Sequence, residues 1–432
     1  MVADNALKFS VTRASGDPRT ALARWFDSAH PGDILLVEFR MRQWWLPMSE
    51  EQPLAALYSR HSQKRFVCTV TDGAVDASEL VRQGLESWAE SRQLPIFAPG
   101  QPLPLVSVNI PKPWGQEIWF TGAEERGLCR FSDGRFSLPI PWLQAVLPDQ
   151  AAGDAGGPLV LLKILDPVAQ EVTGDLYFEL HQEKREVYVV THVDRRAWPD
   201  GVGGIRYGFN PLRLAAAASE EEFKQGYLAA VRAYESVRRD IDQLPEGIEP
   251  DMRLLDAERR LREAMNGFTH MRELRVGDVV VVPLLMPHSL QHGVRTIEFQ
   301  TPVYERQILS FAQRVLTQDH WDTAEAVTQM RLTPPQDEHF ALLSDEAGVV
   351  VERIVDFPDF EVRRVSLSPG SRLELDCINS YQLLMVVEGE VPLADAVLGP
   401  EEAALLPRGE HFSLGHRDPK TPLVALLAMP RG

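Results

Sequence analysis

The sequence predicts a mainly β protein that carries a helical insert and begins with an α/β segment. Short apolar runs interrupted by glycine and proline dominate residues 105–330 and 331–432, as they do in β domains. Residues 214–266 instead repeat apolar side chains at helical spacing. Residues 1–104 mix strand-like runs with one helix-like run. We therefore expect three domains, divided at these positions.

The composition is that of a soluble globular protein, with 432 residues, 44% hydrophobic and 25% charged. The net charge of −18 argues against a nucleic-acid partner and an anionic membrane surface, because both need clustered lysine and arginine. A small anionic substrate is compatible with this charge, since a few local cations can hold it. The oligomeric state is left open.

The cysteines and the apolar runs indicate a cytoplasmic protein. Cys68, Cys129 and Cys377 are too far apart for a disulfide framework or a cysteine metal motif, so a reducing compartment is expected. The opening residues MVADNALKFS lack the features of a signal peptide. No apolar run reaches the ~20 residues of a membrane span.

The N-terminal segment contains two predicted strands, Asp33–Phe39 and Phe66–Thr71. It also contains a predicted helix, Asp76–Arg92, with Asp76 or Ser78 as its N-cap. The apolar face of this helix carries Leu80, Val81, Leu85 and Trp88. No function is assigned to this segment.

Residues 112–119, KPWGQEIW, follow a stretch rich in proline and glycine. Tryptophan, lysine and glutamate side chains in one turn suit a sugar site, so Lys112 and Trp114 are candidate substrate residues. The alternative is a turn that enters a β-barrel with its tryptophans in the core.

The stretch that organises the β domain is Gly174–Val190, GDLYFELHQEKREVYVV. Glu179 and His181 lie two residues apart and would leave one face of a strand. Glu186 follows after a polar turn. Two carboxylates and an imidazole from neighbouring strands predict part of a metal site.

A further ligand is predicted about a hundred residues later. The run Val279–Val282 predicts a strand buried on both faces, and His288 follows it after two prolines. Nitrogen and oxygen donors of this kind suit Zn, Fe, Mn, Co or Ni without discriminating among them. The alternative is that each histidine is an ordinary surface or core residue.

The two stretches resemble the two motifs of the cupin superfamily of small β-barrels. Glu179 stands for the first histidine of motif one, and in motif two Leu285 stands for a glycine and His292 for an asparagine. The resemblance implies two cupin (jelly-roll) barrels. The second, at 331–432, would be degenerate and metal-free, with His411 and His416 as its only candidate ligands.

The KPWG turn and the runs LVLLKILDP (159–167) and VRTIEFQTPVYER (294–306) are similar to type I mannose-6-phosphate isomerases, which are zinc-dependent cupins. The resemblance covers about residues 107–430, and the family also has a helical insert. It implies metal ligands at Glu179, His181, Glu186 and His288, with Glu179 in place of a glutamine. It also implies that Glu298 and Arg306 lie in the neighbourhood of the active site.

Three features depart from that family. Only four residues separate His181 from Glu186, where the family has a longer loop that covers the sugar and can carry a lysine. Thr301-Pro302 replaces a Ser-Asp pair, and Glu305 separates the tyrosine and arginine of a Tyr-Arg pair.

An aldose–ketose isomerase moves a proton between adjacent carbons through a cis-enediol, so it needs a base and a stabilised oxyanion. Glu298, Lys184 and His292 are the candidate bases or base partners, and His292 is also a candidate substrate residue. Arg306 is the candidate for holding the enediolate or the phosphate.

The expected function is the interconversion of mannose 6-phosphate and fructose 6-phosphate with one zinc ion. One alternative is a non-catalytic cupin that binds a sugar or sugar phosphate. The other is a cupin metalloenzyme of different chemistry, such as an iron oxygenase.

Overall fold

The computed structural model describes residues 9–62, 65–148, 151–245, 247–314, 318, 320–334, 340–394 and 396–431. The prediction that the chain has no signal peptide depends on the opening residues MVADNALKFS. The first eight of these lie outside the described residues. Strands make up more of the described chain than helices, which confirms the mainly β class. None of the helices in these ranges is long and apolar enough to cross a membrane.

The chain forms two compact units. The first unit comprises Met1–Val108, Trp119–Leu161 and Phe340–Gly432, and the second comprises Asn109–Ile118 and Leu162–His339. All of the predicted metal, catalytic and substrate residues belong to the second unit. The division into three domains stays a prediction.

A four-stranded sheet with two helices forms the N-terminal part of the first unit. Its elements are β1 Val11–Ser15, α1 Pro18–Phe26, β2 Ile34–Arg42, β3 Glu51–Arg60, β4 Phe66–Thr71 and α2 Ala77–Ser91. The strand order is β1-β2-β3-β4, and only β1 and β2 run parallel. The predicted strands and helix are confirmed. Asp76 is the N-cap of α2, because its carboxylate accepts a hydrogen bond from the Ser78 backbone N–H.

Short strands and one helix follow. They are β5 Leu103–Val106, β6 Val108–Lys112, β7 Gly115–Trp119, β8 Ala123–Glu124, β9 Gly127–Leu128, β10 Arg130–Ser132, β11 Ser137–Pro139 and α3 Ile140–Val146. The KPWG turn joins β6 to β7, and both strands enter a sheet of the second unit. The turn therefore leads into the sheet that carries the candidate site.

Two sheets form the body of the second unit. Their remaining strands are β12 Leu161–Pro167, β13 Phe178–Leu180, β14 Glu186–Val193, β15 Gly203–Phe209, β16 Thr269–Leu274, β17 Val279–Val282, β18 His288–Leu290, β19 Val294–Gln300 and β20 Gln307–Ser310. One sheet has the order β17-β14-β19-β12-β7-β6 and the other β16-β15-β18-β13-β20. Leu165 and Val190 of the first share an apolar cluster with Tyr207 and Leu290 of the second, so the two sheets pack face to face.

The helices of the second unit pack outside these sheets. They are α4 Pro211–Ala216, α5 Glu220–Asp242, α6 Met252–Asn266 and α7 Thr323–Gln329. The predicted helical insert is confirmed as α4 to α6, and Ser219 caps α5 by accepting a hydrogen bond from the Glu222 N–H. Phe223, Tyr227 and Val231 of α5 are buried in a cluster with Phe178 of β13. This contact supports the short strand that leads into the candidate site.

The C-terminal part of the first unit is all β, as predicted. Its strands are β21 Ala341–Glu346, β22 Val349–Asp356, β23 Phe360–Leu367, β24 Arg372–Asp376, β25 Gln382–Glu388, β26 Val391–Leu393, β27 Ala396–Leu398, β28 Ala403–Leu406, β29 His411–Gly415 and β30 Leu423–Pro430. Six of them join β5, β10 and β11 in a nine-stranded sheet. The assignment of this part as a second cupin barrel stays a prediction.

Candidate metal centre

Glu179, His181, Glu186 and His288 lie at neighbouring strand ends. Glu179 is in β13 and is paired in register with His288, the first residue of β18. His181 follows β13 directly, and Glu186 begins β14 after a tight turn. The Leu285 N–H donates to the His181 carbonyl at 2.7 Å and so ties the two segments together. The structure therefore brings together residues that are about a hundred positions apart.

These four side chains lie close together, and all of them except the half-buried Glu179 are buried. One ligand atom each from Glu179, His181 and His288 lies within 4.8 Å of the other two. The Glu186 carboxylate lies against both imidazoles, with Oε1 3.4 Å from His181 Nε2 and Oε2 3.0 Å from His288 Nε2. His181 is 1% exposed, and Glu186 and His288 are each 2% exposed.

Each imidazole is oriented through its Nδ1 atom. Nδ1 of His181 lies 3.0 Å from the Glu305 carbonyl oxygen, and Nδ1 of His288 lies 3.0 Å from the Met286 carbonyl oxygen. A carbonyl oxygen only accepts, so Nδ1 carries the proton in both rings and Nε2 of the neutral ring keeps its lone pair. This is the form of histidine that binds a metal ion.

The lone pairs of the site face one another. Nε2 of the neutral His181 ring lies 3.4 Å from Glu186 Oε1, and two acceptors attract each other only when a proton or a cation lies between them. His181 Nε2 and Glu179 Oε2 are buried without a hydrogen-bond partner. Unpartnered buried polar atoms are costly, and a cation would satisfy them. The donor set therefore fits a divalent metal ion with nitrogen and oxygen ligands.

The protonation states agree with this fit. Burial lowers the pKa of His181 well below 6.5, and the nearby Lys184 ammonium lowers it further. Burial alone would raise the pKa of Glu186, but the Lys184 ammonium 2.7 Å away outweighs burial and the pKa lies well below 4.5. A neutral imidazole and an ionised carboxylate are the forms that bind a metal.

A second group of buried charges lines the same six-stranded sheet. Glu298 on β19 stands opposite Tyr188 on β14, and its Oε2 lies 3.3 Å from Lys163 Nζ on β12. Lys163 Nζ is also 3.7 Å from Glu117 Oε1 on β7, and Glu117 Oε2 is 3.2 Å from Lys112 Nζ. The predicted catalytic Glu298 and the predicted substrate residue Lys112 therefore belong to one row of alternating charges.

Glu298 is the most buried carboxylate of this row, at 1% exposure. Neither of its oxygens has a hydrogen-bond partner, although Lys163 lies close. Burial raises the pKa of Glu298 well above 4.5 despite the opposing effect of Lys163. Burial would lower the pKa of Lys163, but Glu117 and Glu298 outweigh it and the pKa is raised. A carboxyl with a raised pKa and unpartnered oxygens can take up a proton.

Two further predicted residues are cations at the metal cluster. Lys184 Nζ lies 2.7 Å from Glu186 Oε1. The Arg306 guanidinium lies 3.8 Å from Glu179 Oε2 and stacks over the Tyr177 ring at 4.6 Å. Burial would lower the pKa of Arg306, but Glu179 outweighs it and raises the pKa. Both cations therefore lie beside carboxylates that could hold the metal.

Trp114 and His292 are in different surroundings. Trp114 is 2% exposed and packs in the apolar cluster between the sheets, which favours the core interpretation over stacking on a sugar. His292 Nδ1 is 2.7 Å from Asp175 Oδ1, and its ring stacks on Trp198 at 4.8 Å. Their assignment as substrate residues stays a prediction that these contacts do not support.

Sequence reasoning assigned no role to Lys163, Tyr188 or Glu305. Lys163 carries a visible signal, because a lone lysine within the apolar run LVLLKIL needs a buried partner. The Tyr188 hydroxyl donates a hydrogen bond to Glu186 Oε2 at 2.5 Å. Its signal in the sequence is its position two residues after Glu186, which places both side chains on the same face of one strand. Glu305 has no such signal, because its contacts are distant in sequence.

Comparison with solved structures identifies the architecture. The mannose 6-phosphate isomerase of Bacillus subtilis matches with a TM-score of 0.54 and 16% identity, over 76% of this chain and 99% of that chain. The chain has the fold of a mannose-6-phosphate isomerase. A zinc-bound mannose 6-phosphate isomerase matches with a TM-score of 0.51 and 14% identity, over 77% and 99%.

A mutant phosphomannose isomerase from Salmonella typhimurium also has the isomerase fold, with a TM-score of 0.52 and 14% identity, over 77% and 99%. No protein-family model and no curated protein sequence matches the chain. At these identities the isomerase likeness shows the fold alone.

Proposed function

We propose that this protein is a metal-dependent sugar-phosphate isomerase that interconverts mannose 6-phosphate and fructose 6-phosphate. The observation that carries the proposal is the cluster of Glu179, His181 and His288, in which His181 Nε2 and Glu179 Oε2 lack hydrogen-bond partners. The isomerase fold and its zinc-bound example support it, and zinc is proposed by that analogy.

The reaction removes a proton from a carbon next to a carbonyl and returns it to the adjacent carbon. The cis-enediolate formed in between carries negative charge on oxygen, which the site must stabilise. A divalent cation held by Glu179, His181, Glu186 and His288 would supply Lewis-acid stabilisation of that charge. The remaining tasks fall to neighbouring side chains.

Glu298 is the strongest candidate for the base. It is buried, its oxygens lack hydrogen bonds, and its pKa is raised towards the pH at which a carboxylate is an effective base. Lys163, 3.3 Å away, holds it on the inner face of the sheet and can balance its charge when it is ionised. Neither Lys184 nor His292 has this combination, since each is paired with its own carboxylate.

Arg306 is the candidate for binding anionic oxygens. Its guanidinium is held by the Tyr177 ring and lies 3.8 Å from Glu179 Oε2, a distance longer than a strong ion pair. A guanidinium fork at this position suits an enediolate or a phosphate group.

The direct test is turnover. Purified protein would be incubated with mannose 6-phosphate in the presence of zinc, after treatment with a chelator, and after zinc is restored. We expect fructose 6-phosphate to form, to stop forming with the chelator and to form again with zinc. Absence of turnover by protein that binds one equivalent of zinc would refute the isomerase proposal.

A second candidate is a non-catalytic protein that binds a sugar phosphate. It is favoured by the tight turn between β13 and β14, which stands where the isomerase pattern has a longer loop over the sugar. Calorimetric titration with mannose 6-phosphate would show binding without turnover in that case. Stoichiometric redox-inert zinc in the purified protein would count against an iron oxygenase.

A further inference from the structure

Three features that depart from the isomerase pattern meet at one place: the turn 182–185, Thr301 and Glu305. The Arg185 N–H donates to Thr301 Oγ1 at 3.1 Å, and the Thr301 N–H donates to the Arg185 carbonyl at 3.0 Å. The N–H groups at 182 and 183 donate to Oε2 of Glu305 at 2.9 and 3.2 Å. The turn is therefore held at both ends by one segment.

Glu305 also contacts the metal cluster through its main chain, because its carbonyl oxygen accepts from His181 Nδ1 at 3.0 Å. We propose that Glu305 is a positioning residue of the metal centre. Its carboxylate anchors the turn that carries Lys184, and its carbonyl orients the His181 ring. This inference rests on the proposed function, which gives His181 and Lys184 their tasks.

The Glu305 carboxylate is needed to hold the start of the turn in place. Gln182 and Glu183 are exposed, so without Glu305 their N–H groups would bond to water and the start of the turn would lose its fixed attachment. Two N–H groups on one carboxylate oxygen form charge-assisted hydrogen bonds, which are stronger than bonds between neutral groups. Lys184 is 8% exposed and must be held within 2.7 Å of Glu186, which a mobile turn would not do.

Three variants distinguish the loss of the hydrogen bonds to Glu305 from the loss of a negative charge. Glu305→Ala removes the carboxylate but keeps the carbonyl that contacts His181. Glu305→Gln keeps an acceptor oxygen without the charge. Glu183→Ala is the matched control, because it removes an exposed acid from the same turn and leaves its backbone N–H in place. Thermal unfolding of each variant would verify that it is folded.

Two measurements are made on each protein. Hydrogen exchange of peptides covering residues 182–185 is followed in metal-free protein, and the Kd for zinc is measured by calorimetric titration. In Glu305→Ala we expect exchange at least ten-fold faster and a Kd about 10–100-fold weaker, as for loss of a group that supports metal ligands. Glu305→Gln should recover most of both effects, and Glu183→Ala should match the wild type.

Failure of this inference differs from failure of the proposed function. If Glu305→Ala exchanges and binds zinc like Glu183→Ala, the positioning role is overturned although the isomerase proposal stands. Faster exchange with an unchanged Kd would also overturn it, because the anchor would then not serve the metal centre. Wild-type protein that binds no zinc would refute the metal centre itself, and with it the positioning role.

Discussion

Two groups of buried side chains, one in each β region of this protein, differ in kind. We call the first the C-terminal cluster, which is entirely aliphatic apart from one cysteine, with members that include Val365, Leu384, Leu406 and Leu427. We call the second the charged row, which consists of Glu117, Lys163, Glu298 and Lys112 on the six-stranded sheet. The charged row lies on the sheet that also carries Glu186.

This difference suggests that the C-terminal cluster serves stability and that the charged row serves function. Aliphatic side chains stabilise a fold by leaving water, at about 25 cal/mol per Å² of buried apolar surface. Buried charges cost free energy unless they are paired, and buried oxygens without a hydrogen bond, such as those of Glu298, remain costly. A chain retains such groups where a substrate or a cation completes them. The charged row is therefore the region to test for chemistry.

The largest effect is expected from Glu298→Gln, which removes the proposed base. We expect kcat to fall about 10²–10⁴-fold, the usual contribution of a general base. A base acts when deprotonated, so in the wild type activity should be lost as the pH falls through a pKa raised above 4.5. A pH–rate profile with mannose 6-phosphate would measure both. A loss of less than ten-fold, with the acid limb unchanged, would remove Glu298 from the reaction.

The next effect concerns stability. Lys163→Met leaves Glu298 without its cation, and breaking a buried ion pair costs about 3–5 kcal/mol in the free energy of unfolding. The double variant Lys163→Met/Glu298→Gln should recover part of that loss, since no unpaired charge remains between the two. Urea unfolding measures all three proteins. Additive losses in the double variant would show that the two side chains are not coupled.

Leu384→Ala supplies the contrast from the C-terminal cluster. It should cost about 2–5 kcal/mol in the free energy of unfolding, as for any large core residue. Zinc affinity should stay at the wild-type value, because the cluster contains no ligand. A change in the zinc Kd beyond about three-fold would show that the C-terminal cluster also affects the metal centre.

The two histidines of the second motif give a smaller but sharper comparison. His288→Ala should weaken zinc binding by more than the 10–100-fold that loss of a supporting group causes. His292→Ala should leave the zinc Kd unchanged and reduce the free energy of unfolding by about 1–3 kcal/mol, because Asp175 loses its buried partner. Calorimetric titration and urea unfolding test the pair. Full zinc binding by His288→Ala would show that the ligand assignment is wrong.

The smallest effect concerns Leu285, which has a φ of 65°, in the region that favours glycine. The cupin motif has a glycine at this position. Leu285→Gly removes the backbone strain and Leu285→Ala keeps it. The free energy of unfolding of the glycine variant should therefore exceed that of the alanine variant by about 1 kcal/mol, whereas in a helix alanine is the more stable of the two. Thermal unfolding would measure the difference. A more stable alanine variant would show that the backbone is not strained there.

The elements and the candidate ligands were predictable because their signals are local. A strand repeats every two residues, so Glu179 and His181 could be assigned to one locality from their spacing alone. Ser219 before three glutamates predicted the start of α5, which the structure confirms. The four consecutive valines likewise predicted the strand β17, and the two prolines before His288 predicted that the strand ends there.

Contacts between distant residues were decided by the tertiary structure alone. The role of Trp114 and His292 as substrate residues stays a prediction, and only the structure places the Trp114 ring in an apolar cluster and the His292 ring against Trp198. The sequence marked Glu305 only as a departure from a pattern, and it assigned Lys163 no role. The sequence by itself thus determined which side chains are available for chemistry. Only the folded chain decided which of them are satisfied by a partner and which are left for a ligand, because partners are chosen by proximity in space.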